Sequence, residues 1–204
     1  MGRNEEKRRR TTASIVTAAT RLFAERGYDG TTVQAIAEAA GVSAGTVYNY
    51  FGTKAAVLAA VVGADVVAAF TAARDTLEVA GRDPADVVLS LLEPFTERML
   101  SHGRVQLREV FRAAYDEDAR AAFEELVSMD LWMIEELATT IGAMQREGLI
   151  AGQIPEQDAA LLLYSIVAMA TLMFLSVPSV GEDEVRAHVR SQVVLAMRGI
   201  APGG

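Results

Sequence analysis

The chain has 204 residues, of which 51% are hydrophobic, and it contains no cysteine. This length suits one large or two small domains, and the apolar fraction is sufficient for a sizeable core. The lack of cysteine excludes disulfides, thiolate zinc sites and cysteine nucleophiles. The N-terminal residues RNEEKRRR are charged and no apolar segment follows them, so we expect no signal peptide and a cytoplasmic protein.

The net charge of -8 is unevenly distributed. Residues 1–54 contain eight Lys and Arg against five Asp and Glu, a balance of +3. The remainder contains 11 basic against 22 acidic residues, a balance of -11, and the two balances add to -8. A basic end on an acidic body is expected when one end of a protein meets a polyanion such as DNA.

Residues 1–10 are polar and basic, and we expect a flexible, solvated arm there. Its arginines, Arg8–Arg10, can reach DNA phosphates or a minor groove in a complex. A first helix is predicted over Thr11–Arg26 and ends at Gly27, because apolar residues repeat at helical spacing. These residues are Ile15, Ala18, Ala19, Leu22 and Phe23.

Two short helices joined by a tight turn are predicted next. Thr32 can act as an N-cap, and the residues after it form one apolar face: Val33, Ile36, Ala37 and Ala40. Gly41 can adopt the left-handed conformation that ends a helix. Ser43 is a second cap that starts a helix at Ala44. This order of helix, glycine, apolar residue, cap and helix is typical of a helix-turn-helix.

The second of these helices, Ala44 to Phe51, has an outward surface suited to DNA. Val47 and Phe51 share the inward face, and with Phe23 and Ile36 they are predicted to form the core of a three-helix unit. The outward positions are Thr46, Tyr48, Asn49 and Tyr50. Tyrosine rings can pack on the sugar backbone while their hydroxyls donate to phosphates. Gly45 permits close approach, and the Lys54 ammonium can meet a phosphate.

These residues carry a family resemblance. The segments LFAERGYDG, TTVQAIAEAAGVS and AGTVYNYFGTK resemble the DNA-binding domain of the TetR family of one-component transcriptional regulators. The resemblance implies an all-α homodimer with an N-terminal three-helix helix-turn-helix domain, residues 1–54. It also implies a larger helical domain, residues 55–204, that binds a small molecule and dimerises. The implied partners are a double-stranded DNA operator and a small-molecule effector.

The resemblance also assigns site positions. Those that contact phosphates are Thr32, Thr46, Tyr48, Tyr50 and Lys54, and those near base edges are Gln34, Ala44, Gly45 and Asn49. Two residues depart from the family pattern: Tyr50 stands where histidine is common, and Ala44 is too short to reach a base polar group. Asn49 and Gln34 are therefore predicted to read bases, since an amide can pair with adenine through two hydrogen bonds.

The rest of the chain is predicted to be helical. The expected helices are Lys54 to about Ala80, Ala85–Ser101, Arg104–Tyr115, Ala119–Glu147, Glu156–Val177 and Asp183–Gly199. The loop Gly81–Pro84 separates the first two, and Pro94 is expected to kink or break the second. Movement of the helix after Lys54 could change the spacing of the DNA-reading ends.

Residues 159–181 carry no charge, which raises the alternative of a membrane-associated protein anchored through residues 159–177. No Lys or Arg flanks either end closely, so anchoring basic residues are missing and no membrane partner is expected. We expect instead a buried helix at a dimer interface. The resemblance implies that the last two helices of each subunit form a four-helix bundle around a two-fold axis.

An effector site is expected among the central helices, where Met and aromatic side chains suit an adaptable apolar cavity. For any one of them, ordinary core is the favoured explanation. The candidates are Phe95, Met99, Phe111, Tyr115, Met129, Trp132, Met133, Met169 and Met173. Asp130 interrupts the apolar stripe, where a charge is costly unless paired. We expect it to bond a protein donor, the alternative being a cationic or hydroxyl-bearing ligand.

No catalytic or metal constellation is evident, and no cofactor is expected. His102 and His188 are far apart in the sequence, and there is no phosphate-binding glycine loop or GxSxG elbow. An enzyme using the central cavity is therefore the least supported alternative. The sequence predicts a repressor that a small, largely apolar molecule releases from a palindromic operator.

Overall fold

The computed structural model describes residues 2–114 and 120–200, and these contain nine α-helices and no β-strand. The helices are α1 (Arg3–Arg26), α2 (Val33–Ala40), α3 (Ala44–Phe51), α4 (Lys54–Asp75), α5 (Pro84–Ser101), α6 (Gly103–Ala114), α7 (Arg120–Arg146), α8 (Glu156–Ser176) and α9 (Glu182–Ile200). The all-α expectation is confirmed.

The chain forms two compact units. Unit 1 comprises Met1–Ala64 and Val105–Ser128, and unit 2 comprises Asp65–Arg104 and Met129–Gly204. Within unit 1, α2 packs against both α1 and α3, and within unit 2, α9 packs against both α5 and α8. The division into domains at residue 54 stays a prediction.

Helix α1 begins at Arg3, so the expectation of a flexible arm is wrong over the described residues 3–10. The Gly2 amide donates to Glu5 Oε2 at 2.8 Å, which satisfies a first-turn amide. Glu6 accepts from Arg10 Nε at 2.9 Å and from Arg9 at 3.2 Å, pairs at helical i+4 and i+3 spacing. These local ion pairs extend the helix beyond the apolar repeat that predicted it.

Two further boundaries differ from the expected ones. Helix α4 ends at Asp75, about one turn earlier than predicted, and its last turn is held by Arg74, which pairs with Asp75 and with Glu136 at 2.9 Å each. Helix α5 runs without a break through Pro94. A proline removes one helical hydrogen bond, and the extensive apolar burial along α5 offsets that loss.

The predicted core of the helix-turn-helix unit is confirmed, because Phe23, Ile36, Val47 and Phe51 are all buried. In unit 2 the core is made by the inward faces of α5, α7, α8 and α9. Its polar members are locally satisfied: Thr171 Oγ1 donates to the Val167 carbonyl at 2.8 Å. Phe70 meets Trp132 edge to face with ring centres 5.4 Å apart.

Two of the described helices, α4 and α8, are long and apolar enough to cross a membrane. Core helices of soluble proteins meet the same criterion, so length and composition are weak evidence for a membrane span. Both helices also bury part of their surface within the fold.

Candidate nucleic-acid interface and effector site

The helix-turn-helix is built by three local signals. Thr32 Oγ1 accepts from the Ala35 amide at 3.1 Å and caps α2, and Ser43 Oγ accepts from the Thr46 amide at 3.0 Å and caps α3. Gly41 lies between the helices with φ 70° and ψ 31°, the left-handed conformation. The Val42 amide then donates back to the Ala37 carbonyl at 3.0 Å, which closes the turn. All three signals are those predicted.

Helix α3 presents the predicted outward surface. Val47 and Phe51 are buried, whereas Tyr48 is 53% exposed and Asn49 is exposed. Tyr50 and Thr46 are half-buried, and Thr46 Oγ1 lies 2.8 Å from Ser43 Oγ. A helix that keeps a large aromatic ring and an amide in water at its outer face is poorly explained by stability alone.

The predicted base-edge positions lie on exposed or half-buried parts of α2 and α3. Gln34 is exposed, and its Nε2 donates to Glu38 Oε1 at 3.2 Å, a bond that base reading would have to replace. Ala44 is half-buried. Gly45 is exposed, and a Cβ added there would meet only Ser43 Oγ at 3.7 Å. The surface at Gly45 is therefore open to close approach.

Lys54 lies at the start of α4 and is directed into unit 1. Its Nζ donates to the carbonyls of Tyr28 at 2.8 Å and Thr31 at 3.0 Å. The same ammonium lies 4.1 Å from the centre of the Tyr28 ring. Tyr28 was not identified from the sequence, although its position between Gly27 and the Thr32 cap marks it as a turn residue.

Arg8 contacts α3, and the sequence did not predict this contact. Its guanidinium carbon lies 5.9 Å from the centre of the Tyr50 ring. Residues 3–10 are therefore helical, and Arg8 lies beside Tyr50 of α3. No local sequence signal reports this contact, because the two residues are 42 positions apart.

The residues predicted to line the effector site differ in their solvent exposure. Phe95, Met99 and Met133 are buried. The half-buried residues are Phe111, Met129, Asp130 and Trp132. Met169 and Met173 are 52% and 39% exposed, which contradicts the expectation that they line an apolar cavity among the central helices. They lie on the outer face of α8, because helical periodicity turns them away from buried Ala170 and Phe174. Tyr115 lies outside the described residues.

Asp130 bonds a protein donor, as expected, and the donor is the Tyr164 hydroxyl on α8. Burial raises the pKa of Asp130 above its ordinary value, and the hydrogen bond from Tyr164 lowers that pKa by less. Burial, followed by the bond to Asp130, raises the pKa of the Tyr164 hydroxyl. The sequence did not identify Tyr164, since it lies within an apolar helix that offers no pairing signal.

Replacing Asp130 with Asn is expected to stabilise the fold at neutral pH. A carboxyl whose pKa is raised on folding contributes stability below its unfolded pKa, and that contribution is lost as the pH rises through the folded pKa. An amide has no such loss and can still accept from Tyr164. The free energy of unfolding of Asp130→Asn minus that of the wild type should therefore increase from pH 4 to pH 7 in urea titrations.

Tyr164→Phe provides the matched comparison, because it removes the donor and leaves the carboxylate half-buried. We expect it to destabilise the protein, and more so at pH 7 than at pH 4. A pH-independent difference for both variants would contradict the raised pKa of Asp130.

Unit 2 also has a surface groove of about 440 Å³ between α5 and α9. It is lined by charged side chains rather than by the predicted effector residues. Arg186 occupies it through bonds to Glu97, the closest at 2.6 Å, and to Asp183 at 2.8 Å. These ion pairs join the two helices, and they make the groove unsuited to an apolar effector.

His102 has a structural partner, as expected. Its Nε2 lies 3.0 Å from Asp65 Oδ2, and Arg98 lies 3.6 Å from the same oxygen. Burial lowers the pKa of His102, and the Asp65 charge opposes that shift only in part. Within residues 2–114 and 120–200, no group of three or more His, Asp or Glu side chains is arranged to hold a metal.

Comparison with known families identifies the N-terminal segment. Residues 15–61 match the model of the bacterial regulatory proteins of the tetR family. This segment contains most of α1, all of α2 and α3, and the start of α4. The match therefore covers the helix-turn-helix described above.

Relatives and solved structures extend the comparison. The chain is 27% identical to the probable HTH-type transcriptional regulator ArpR of Pseudomonas putida over 81% of this chain and 80% of that protein. It is 55% identical to the regulator HbdR of Aromatoleum sp. (strain CIB) over 40 residues, 20% of this chain and 18% of HbdR. The TetR-family repressor FadR of Thermus thermophilus, solved with lauroyl-CoA, matches with a TM-score of 0.68 and 25% identity over 95% of this chain and all of that chain.

These relatives are transcriptional regulators and not enzymes. The enzyme and membrane-anchor alternatives are therefore not favoured. Three findings indicate a DNA-binding regulator. They are the capped helix-turn-helix, the family match over the same residues and the structural similarity along the whole chain. Residues 15–61 form a DNA-binding helix-turn-helix domain of the tetR family of bacterial regulatory proteins, and the chain as a whole is similar to transcriptional regulators that include a TetR-family repressor.

Proposed function

We propose that this regulator is a cytoplasmic repressor that binds a near-palindromic operator as a homodimer and leaves it when a small, largely apolar effector binds. The single observation that carries the DNA-binding part is the exposed surface of α3. Tyr48 and Asn49 stand outward on a helix whose entry is held by the Gly41 turn and the Ser43 cap. A recognition helix needs both the exposed side chains and a firmly held entry.

The exposed residues divide by chemistry. Thr32, Thr46, Tyr48 and Tyr50 carry hydroxyls that can donate to phosphates and so set the position of the protein on the duplex. Asn49 and Gln34 carry amides that can pair with adenine. Ala44 and Gly45 have little or no side chain, so they let the α3 backbone approach the groove closely. Arg8, beside Tyr50, adds positive charge at the same end of unit 1.

Dimerisation is proposed through α8 and α9. Helix α8 exposes five large apolar residues that share one side: Leu161, Leu162, Met169, Leu172 and Met173. On α9, which packs against α8, Leu195 is also exposed. A contiguous exposed apolar patch is typical of an interface between subunits. A two-fold dimer carries two recognition helices, which fit successive major grooves when they lie about 34 Å or a multiple apart.

An apolar effector is proposed for unit 2. The relative FadR was solved with lauroyl-CoA, a molecule with a long apolar chain. In unit 2, Phe95, Met99, Met133 and Trp132 provide adaptable apolar side chains, and Asp130 with Tyr164 provides a polar pair among them. Such a ligand would release DNA only if it bound one conformer of the dimer more tightly than the other. The favoured conformer would be one whose two recognition helices are not spaced to fit successive major grooves.

Selection of bound duplexes from a random DNA pool tests the proposal directly. The purified full-length protein should enrich a near-palindrome, and the distance between its half-sites reports the separation of the two recognition helices. Binding should weaken steeply with salt, because phosphate contacts dominate affinity. Recovery of no preferred sequence at low ionic strength would refute the proposed operator recognition.

Asn49→Ala is expected to change the preferred sequence. Loss of one amide that pairs with a base removes about 1–3 kcal/mol of discrimination at that base pair, so the enriched motif should become degenerate at one position in each half-site. Tyr48→Phe is the matched comparison on the same helix. It removes a phosphate donor and should weaken binding to all duplexes alike while leaving the motif unchanged. An unaltered motif for Asn49→Ala would remove Asn49 from base reading.

A further inference from the structure

Unit 1 contains a cleft that lies against α3. Its volume is about 270 Å³, and it is lined by residues of α1, α3, α4 and the first turns of α7. We propose that this cleft binds a small organic carboxylate, and that the bound carboxylate competes with DNA for Arg8 and Tyr50. Such a site differs from the effector site proposed for unit 2, and the competition with DNA rests on the proposed function.

Arg8 supplies the positive charge that an anion needs. Its basic neighbours on α1, Arg9 and Arg10, are paired with Glu6. Arg8 has no carboxylate partner within residues 2–114 and 120–200, and its guanidinium carbon lies 5.9 Å from the centre of the Tyr50 ring. A guanidinium presents several N–H donors in one plane, so it can bind both oxygens of a carboxylate.

The remaining walls of the cleft suit the rest of such a molecule. Three lining residues carry hydroxyls that can donate to carboxylate oxygens: Thr12, Tyr50 and Ser128. Three others are buried and apolar: Phe51, Ala56 and Ala60. The cleft has the volume of roughly nine water molecules, which is about the number of non-hydrogen atoms in benzoate. A carboxylate on a compact apolar body therefore matches the cleft in both chemistry and size.

Glu124 also lines the cleft, and its charge opposes an anion. The side chain is exposed and takes part in another interaction. Water screens the field of an exposed charge, whereas a guanidinium that donates directly to the ligand acts at contact distance. The cleft should therefore prefer benzoate to its neutral analogue benzamide and to the cationic analogue benzamidine.

The residues that would bind the carboxylate are also proposed to serve DNA. Tyr50 carries a hydroxyl proposed to donate to a phosphate, and Arg8 adds positive charge beside it. A carboxylate bound to Arg8 neutralises that charge and occupies the same donors, so DNA has to displace it. Because coupling between two ligands is reciprocal, DNA should lower the affinity for the carboxylate by the same factor.

The first experiment titrates benzoate, benzamide and benzamidine into the full-length protein while alanine methyl resonances are followed. The Ala56 and Ala60 methyls should shift with benzoate, because its ring lies beside them, whereas the buried Ala170 methyl in unit 2 should not. A dissociation constant of about 1 mM is expected for a molecule of this size. The other two compounds should bind about tenfold more weakly, since they lack the carboxylate.

Two results of that titration would contradict the proposed site. One is an absence of shifts at Ala56 and Ala60 with benzoate at about 10 mM, ten times the expected dissociation constant. The other is binding of benzamide or benzamidine as tight as that of benzoate. The three compounds have nearly the same shape and the protein is unaltered, so neither result can be attributed to misfolding.

The second experiment compares Arg8→Gln with Arg21→Gln. Arg21 is exposed on α1 and does not line the cleft, so its substitution removes the same charge from the same helix. Arg8→Gln should weaken benzoate binding about tenfold, whereas Arg21→Gln should bind benzoate like the wild type. Unchanged methyl positions in the free variants show that each is folded. Equal benzoate affinities in two folded variants would remove Arg8 from the site.

The third experiment measures competition on the duplex recovered from the random pool, at constant ionic strength. Benzoate at about 10 mM should lower the operator affinity of the wild type about tenfold for each cleft that DNA empties, and much less in Arg8→Gln. An unchanged operator affinity while the Ala56 and Ala60 methyls show a filled cleft would overturn the competition. A wild-type protein that selects no duplex would instead refute the proposed operator recognition, and the methyl titration would still test the cleft.

Discussion

Leu172→Glu is expected to convert the dimer into a monomer that no longer holds the operator. Leu172 is 50% exposed on the outward apolar face of α8. If that face is the two-fold interface, the substitution introduces two carboxylates into a dry contact, because each subunit contributes one copy. An unpaired charge in such a site costs about 3–5 kcal/mol, which corresponds to a loss of dimer affinity of more than a hundredfold.

The matched control is Leu131→Glu. Leu131 is 62% exposed on α7 in the same unit, so the substitution adds the same charge to a similarly exposed leucine outside the α8 face. Sedimentation should report a monomer for Leu172→Glu and a dimer for Leu131→Glu, and only the latter should bind the selected duplex. A dimeric Leu172→Glu, or a monomeric Leu131→Glu, would place the interface elsewhere.

Gly41→Val is expected to loosen the helix-turn-helix itself. Gly41 has φ 70°, and a Cβ added there would meet no atom within 4 Å, so the strain comes from the backbone conformation alone. A non-glycine residue in the left-handed region costs about 1–2 kcal/mol, and a branched side chain is the least tolerant. Amide hydrogen exchange over residues 33–51 should accelerate about 5- to 30-fold, since that is the change in equilibrium for 1–2 kcal/mol.

Gly45→Ala separates folding from DNA contact. Gly45 lacks a left-handed φ, and its added Cβ meets Ser43 Oγ at an ordinary 3.7 Å, so protection of residues 33–51 should not fall. The methyl group nevertheless projects at a position proposed to approach the groove, so affinity for the selected duplex should drop. Equal protection in Gly41→Val and the wild type would show that the turn tolerates another conformation. Wild-type affinity in Gly45→Ala would remove that position from the interface.

The amino-acid sequence alone determined the helix-turn-helix. Thr32, Gly41 and Ser43 act on amides and carbonyls within about four residues, so their effect can be read without knowing the rest of the fold. The inward and outward faces of α3 follow in the same way from helical periodicity. The bounds of α8 and α9 were predicted within two residues for the same reason.

Tertiary structure decided what periodicity leaves open. An apolar helix face shows that its residues need a packing partner, but several arrangements of helices can supply one. The sequence therefore could not distinguish exposed Met169 and Met173 from buried Met99 and Met133. Pairings between distant positions are equally invisible locally: Asp130 with Tyr164, and Lys54 with the turn at Tyr28. Each depends on two helices meeting at one point, because a polar group buried by packing takes whichever donor or acceptor that packing brings within reach.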